Sequence, residues 1–94
     1  MHEQTSDNIV EKLTIKRSKE ILNDKVKMEI LKMLKKNGPC SFGDILRGLG
    51  ISQPAGTSHI LELKLLGLIE KSADPPNFNL NSSRYDMLLK QMDD

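Results

Sequence analysis

Gln53, Thr57, Ser58 and His59 lie within one short stretch, each with a polar side chain that can donate or accept hydrogen bonds. The Gln53 amide has the donor–acceptor pair that matches an adenine edge, and the hydroxyls and the imidazole can reach base edges or phosphates. Gly56 in their midst removes a side chain and permits close approach to another surface, although glycine weakens a helix by about 1 kcal/mol relative to alanine. Successive helical residues point about 100° apart, so Ser58 and His59 cannot act as a nucleophile–base dyad. The chemistry on offer is recognition rather than bond-breaking.

These side chains need a helix start beneath them. Ser52 is a good N-cap, Pro54 fits the first turn, Ile60 and Leu63 recur at helical spacing, and Gly67 is placed to stop the run. Upstream, Phe42, Ile45, Leu46 and Leu49 form an apolar stripe of period near 3.6. Gly50 breaks that helix, and Ile51 fills the corner before Ser52. Downstream, residues 68–72 read as a short strand, 74–77 as a turn and 78–81 as a returning strand. Helix, turn, helix and hairpin is the winged-helix order, an α+β arrangement of about five helices with a two-stranded β-hairpin wing. The N-terminal end of the second helix is what enters the major groove in helix-turn-helix proteins.

The same residues resemble the signature of the ArsR-like superfamily of winged-helix regulators, in particular its compact archaeal and bacterial members. That signature resembles Ser-Gln-Pro-x-x-Ser-x-His-Leu-x-x-Leu-x-x-x-Gly-Leu-Val. Here it stands ungapped as Ser52-Gln53-Pro54, Thr57, His59-Ile60, Leu63 and Gly67-Leu68-Ile69. The resemblance extends upstream through Gly38–Phe42 and Ile30–Leu34 and covers roughly residues 18 to 90. It implies a prokaryotic, cytoplasmic, sequence-specific double-stranded DNA-binding regulator that acts as a homodimer. Ser52, Gln53, Thr57, Ser58, His59, Lys71 and Arg84 are its expected DNA-binding residues. Three departures stand out. Leu61 and Glu62 follow His59-Ile60 where relatives often carry Lys. The wing tip, Ala73-Asp74-Pro75-Pro76-Asn77, is not basic, leaving Lys71 and Arg84 as its flanking phosphate ligands. The cysteine pair of the metal-sensing relatives is missing, its place taken by Asp44-Ile45-Leu46-Arg47.

Composition agrees with this class and excludes others. Ninety-four residues make one domain, and with two Phe, one Tyr and no Trp the core must be aliphatic. There is no apolar run of membrane-spanning length and no signal-peptide layout. Neither a metal-ligand set nor a glycine-rich phosphate loop is present, so no metal, no cofactor and no enzymatic activity is expected. The net charge of +1 is low for a DNA binder, but Lys12, Lys16, Arg17, Lys19, Lys25, Lys27, Lys32, Lys35 and Lys36 concentrate before residue 37. The lysines of the Lys25–Lys36 helix are candidates for phosphate contacts. Cys40, the single cysteine, reads as a small half-buried turn residue. The alternative is a thiol activated by the following helix or paired with another subunit.

The ends bear on assembly. Residues 1–17 form a tail or arm, with 12–16 read as extended. Residues 18–94 form the winged-helix domain with its C-terminal dimerisation helix. Ser18 would cap a first short helix, Asn23 or Asp24 a second, and Ser82 or Ser83 the last, which runs through Met92. The arm and the Met87–Leu88–Met92 helix would make the homodimer contact. Leu61 and Leu65, four apart, read as packing against the last helix, the alternative being an exposed patch for a protein partner. A second reading of the whole chain follows from that patch, the acidic wing tip and the near-neutral charge: a winged-helix protein-interaction module with weak or no DNA binding.

Overall fold

The computed structural model describes residues 15–91, and among these lie five helices and three short strands. In chain order they are α1 (Ile15–Leu22), α2 (Lys25–Asn37), β1 (Cys40–Ser41), α3 (Phe42–Leu49), α4 (Gln53–Leu65), β2 (Ile69–Lys71), β3 (Asn77–Leu80) and α5 (Ser82–Lys90). The α+β winged-helix order read from the sequence is the order observed.

Local rules account for most boundaries. Asp24 caps α2, accepting from the Lys27 N–H at 3.0 Å. Ser41 and Asp44 form a reciprocal capping box at the start of α3, and Ser52 caps α4 by accepting from the Ala55 N–H. Helix α4 ends in a Schellman arrangement. Gly67 takes a left-handed φ of 74°, its N–H reaches the Lys64 carbonyl at 2.9 Å, and the Leu68 N–H reaches Leu63 at 3.0 Å.

Five expectations change. Ser18 does not cap α1, which is already helical from Ile15; the side chain is buried at 2% exposure inside the helix. Residues 15–16 are therefore helical rather than part of an extended arm, and the rest of that arm, like Met92, lies outside the described residues. Asn81, not Ser82 or Ser83, caps α5, accepting from the Arg84 N–H at 3.1 Å. The return strand is displaced by one residue, to 77–80. Finally, the hairpin gains a third strand. β1 pairs antiparallel with β3, placing Cys40 opposite Phe78, so the sheet order is β1-β3-β2.

The core is aliphatic, as the scarcity of aromatics requires. Ile30, Leu31, Ile45, Leu63, Leu68 and Leu88 are fully enclosed, drawn from α2, α3, α4, the wing and α5. The hairpin loop is latched by Ser72, whose hydroxyl donates to the Pro75 carbonyl at 2.7 Å and accepts from the Asn77 N–H at 3.3 Å.

Candidate nucleic-acid interface

Helices α3 and α4 meet at a tight corner. Gly50 turns the chain with a left-handed φ of 64°, and the Ile51 N–H returns to the Leu46 carbonyl at 3.2 Å. Gly56 is buried at the crossing. A Cβ there would collide with Leu46 Cδ2 and come within 3.3 Å of Phe42 Cε1. The missing side chain thus serves the approach of α3, not the approach of an outside surface as the sequence suggested. Gln53, Pro54, Thr57 and Ser58 are left exposed, forming a largely polar head on a helix fixed from behind.

His59 points elsewhere. Its Nδ1 lies 3.0 Å from Lys27 Nζ, and the imidazole is only 23% exposed. An ammonium can only donate, so Nδ1 accepts and the ring proton sits on Nε2. Lys27 itself is 7% exposed, and Asp24 (2.8 Å) and Glu62 (2.5 Å) take its remaining contacts. Three acceptors match the three N–H bonds of one ammonium, which is how a buried charge becomes tolerable. Burial favours the neutral amine, but the bonds to Asp24 and Glu62 outweigh it and hold Lys27 above its ordinary pKa. Burial likewise works to raise Asp24; the hydrogen bonds and charge of Lys27 prevail and hold it below the usual carboxylate range. Lys27 is therefore not among the lysines of α2 available to phosphates, whereas Lys25, Lys32, Lys35 and Lys36 are exposed. The cluster joins α2 to the middle of α4. In the sequence, Asp24 reads only as a candidate helix cap and Lys27 only as one of the lysines offered to phosphates.

The remaining expected site residues separate in space. Lys71, on β2, lies 5.9 Å from the centre of the Phe78 ring and shares a groove with Thr57. Arg84 sits at the far end of α4: its guanidinium donates to the Leu66 carbonyl at 3.2 Å and lies over Gly67. Ser52 is occupied in capping. Gln53, Thr57, Ser58 and Lys71 thus form the exposed set, while Ser52, His59 and Arg84 hold α4 in place. Leu61 and Leu65 do not pack on the last helix; they are 53% and 41% exposed. Cys40 lies in a strand rather than a turn, 6% exposed, its thiol donating to the Gly38 carbonyl at 3.3 Å. Burial and the Asp44 carboxylate push that thiol's pKa up, the reverse of activation. Among the described residues no group of three or more His, Cys, Asp or Glu is arranged to hold a metal ion, and no helix is long and apolar enough to cross a membrane.

A helix crossing over Gly56, a polar head on the second helix and an adjoining antiparallel wing define a winged helix-turn-helix DNA-binding protein. The chain belongs to the arsR family of bacterial regulatory proteins, whose family model matches residues 24–71, just over half its length. The matched segment runs from the Asp24 cap to the last residue of β2 and so contains the helix-turn-helix and the first strand of the wing. Among curated proteins and solved structures, nothing matches the chain. The family makes this chain a DNA-binding transcription regulator.

Proposed function

We propose that the chain recognises a specific double-stranded DNA sequence as a homodimer in a prokaryotic cytoplasm. Gln53, Thr57 and Ser58 read base edges in the major groove, and Lys71 meets the phosphates beside them. Ser52, His59 and Arg84 serve that surface from behind by fixing the helix. The supporting observation is the exposed polar head of α4, carried on a helix that Gly56 seats closely against α3. For the dimer, support comes from α5, where Met87 is 51% exposed on a helix that also packs on α1.

Selection of tight binders from a random duplex pool, followed by a salt titration, tests the reading. Thr57→Ala and Ser58→Ala should each cost about 1–3 kcal/mol on the selected sequence and much less on random duplex. Lys71→Gln should weaken both alike and flatten the salt dependence. Absence of binding at about 50 mM salt overturns the DNA-reading assignment. Equal binding by wild type and the Thr57→Ala/Ser58→Ala variant overturns the choice of reading residues. Sedimentation at about 100 μM, where even weak transient dimers associate, should show a dimer; a monomer there refutes that part.

A further inference from the structure

Between α4 and the wing runs an open groove of about 530 Å³, within the range of small-molecule sites. Its walls are unlike a surface made only for a polyanion. Phe42, Ile60, Leu61, Pro76 and Phe78 line it with carbon. Phe42 and Phe78 meet edge to face, with centroids 6.5 Å apart and planes inclined by 63°. Leu61 is an exposed leucine on the wall of this groove, where nothing among the described residues covers it. Two cations, Lys64 from α4 and Lys71 from β2, join the lining beside Ser41, Gly43 and Thr57. Among the described residues no carboxylate forms an ion pair with either; Lys71 lies over the face of Phe78.

An aromatic and aliphatic trough with two uncompensated ammonium groups complements one kind of molecule: an apolar body, flat enough to lie against Phe42 and Leu61, that ends in an acid. We infer that this groove is an effector site for a small amphipathic carboxylate, its ring against Phe42 and Leu61 and its acid between Lys64 and Lys71. The groove includes Thr57 and Lys71, which the proposed DNA surface also uses, so an occupied groove and a bound duplex exclude one another. That exclusion rests on the DNA-binding reading; the site itself does not.

Naphthalene-2-carboxylate is a suitable probe, with its neutral carboxamide as the control. Titrated into the full chain without DNA, the acid should shift the Ile60 and Leu61 methyl resonances saturably. Loss of a charge-assisted hydrogen bond is worth about a tenfold weakening, and that is expected both for the carboxamide and for the Lys64→Gln/Lys71→Gln variant. Leu61→Gln, an exposed change that leaves the core intact, should weaken acid and amide alike. The site is overturned if the carboxamide binds as well as the acid, if the lysine variant is unaffected, or if the shifts fall outside the groove. Saturating acid should release a bound duplex; simultaneous binding overturns the exclusion. A chain that binds the acid but no duplex sinks the proposed function and leaves the site standing. A chain that binds duplex but not the acid does the reverse.

Discussion

Replacing Lys27 by methionine isolates the charge of the α2–α4 cluster, because methionine fills the volume of the lysine stem without the ammonium. Removing one partner of a fully buried ion pair costs about 3–5 kcal/mol, and an exposed pair is worth about 0–1. The Lys27 side chain is 8% exposed, but its partners are not equally enclosed: Asp24 is 28% and Glu62 57% exposed. Glu62 can rehydrate. Asp24 is left partly buried without its cation, although its bond to the backbone N–H of residue 27 survives. The expected loss is therefore intermediate, about 1–2 kcal/mol at pH 7, with Tm falling by roughly 4–8 °C for each kcal/mol. The sign with pH follows from the shifts. Asp24 titrates below its ordinary 3.8, so its contribution is complete above that value and lost as pH falls through the lower folded one. Lys27 titrates above its ordinary 10.5, so its contribution is complete below that value and lost as pH rises through the higher folded one. Urea denaturation of wild type and variant should thus show a gap at pH 7 that narrows at acid pH, below 3.8, as Asp24 takes up its proton. An equal gap at both pH values would assign the loss to packing. A variant more stable than wild type would mean that desolvating the ammonium costs more than its three contacts return.

Three further outcomes follow from the geometry. Gly56→Val should cost about 1–3 kcal/mol by overpacking the α3–α4 crossing, read by urea denaturation, and it should weaken duplex binding more than any change at Gln53. The Cys40 thiol should react slowly with a thiol-specific reagent in buffer and at the rate of a free cysteine in denaturant; rapid labelling of the folded chain would contradict its enclosure in β1. Asn81→Ala should cost about 1 kcal/mol through loss of the α5 cap, whereas Ser82→Ala and Ser83→Ala should each stay within about 0.5 kcal/mol, a contrast that thermal denaturation resolves.

What could be read beforehand was whatever depends on neighbours along the chain. Ser52, Pro54, Gly50 and Gly67 fix the ends of α3 and α4 by backbone rules that need no tertiary information. What could not be read depends on which side of a helix another element occupies. Apolar residues at 60, 61, 63 and 65 surround α4, so periodicity selects no face. The sequence therefore did not show that Leu61 faces the wing groove and solvent, or that His59 turns to α2. Gly56 has the same ambiguity, since a gap in a side-chain row looks alike whether a duplex or a neighbouring helix fills it. Asn81, Ser82 and Ser83 are three capping residues in a row, and only the observed bond to the Arg84 N–H separates them. β1, two residues long, has no pattern to detect. The polar head at Gln53, Thr57 and Ser58 was legible because N-terminal helix turns announce themselves, whereas Pro76 and Phe78 join it only through the wing's return.

Helix α4 is gripped along its length by three separate elements: at Gly56 by α3, at His59 and Glu62 by Lys27 of α2, and at Leu66 by Arg84 of α5. A rod clamped at three stations cannot tilt or roll without breaking a clamp. On meeting a duplex it gives up little freedom of its own, and the double helix has to do the conforming. Sequence steps that flex easily would then be favoured over stiff ones even where no side chain touches a base.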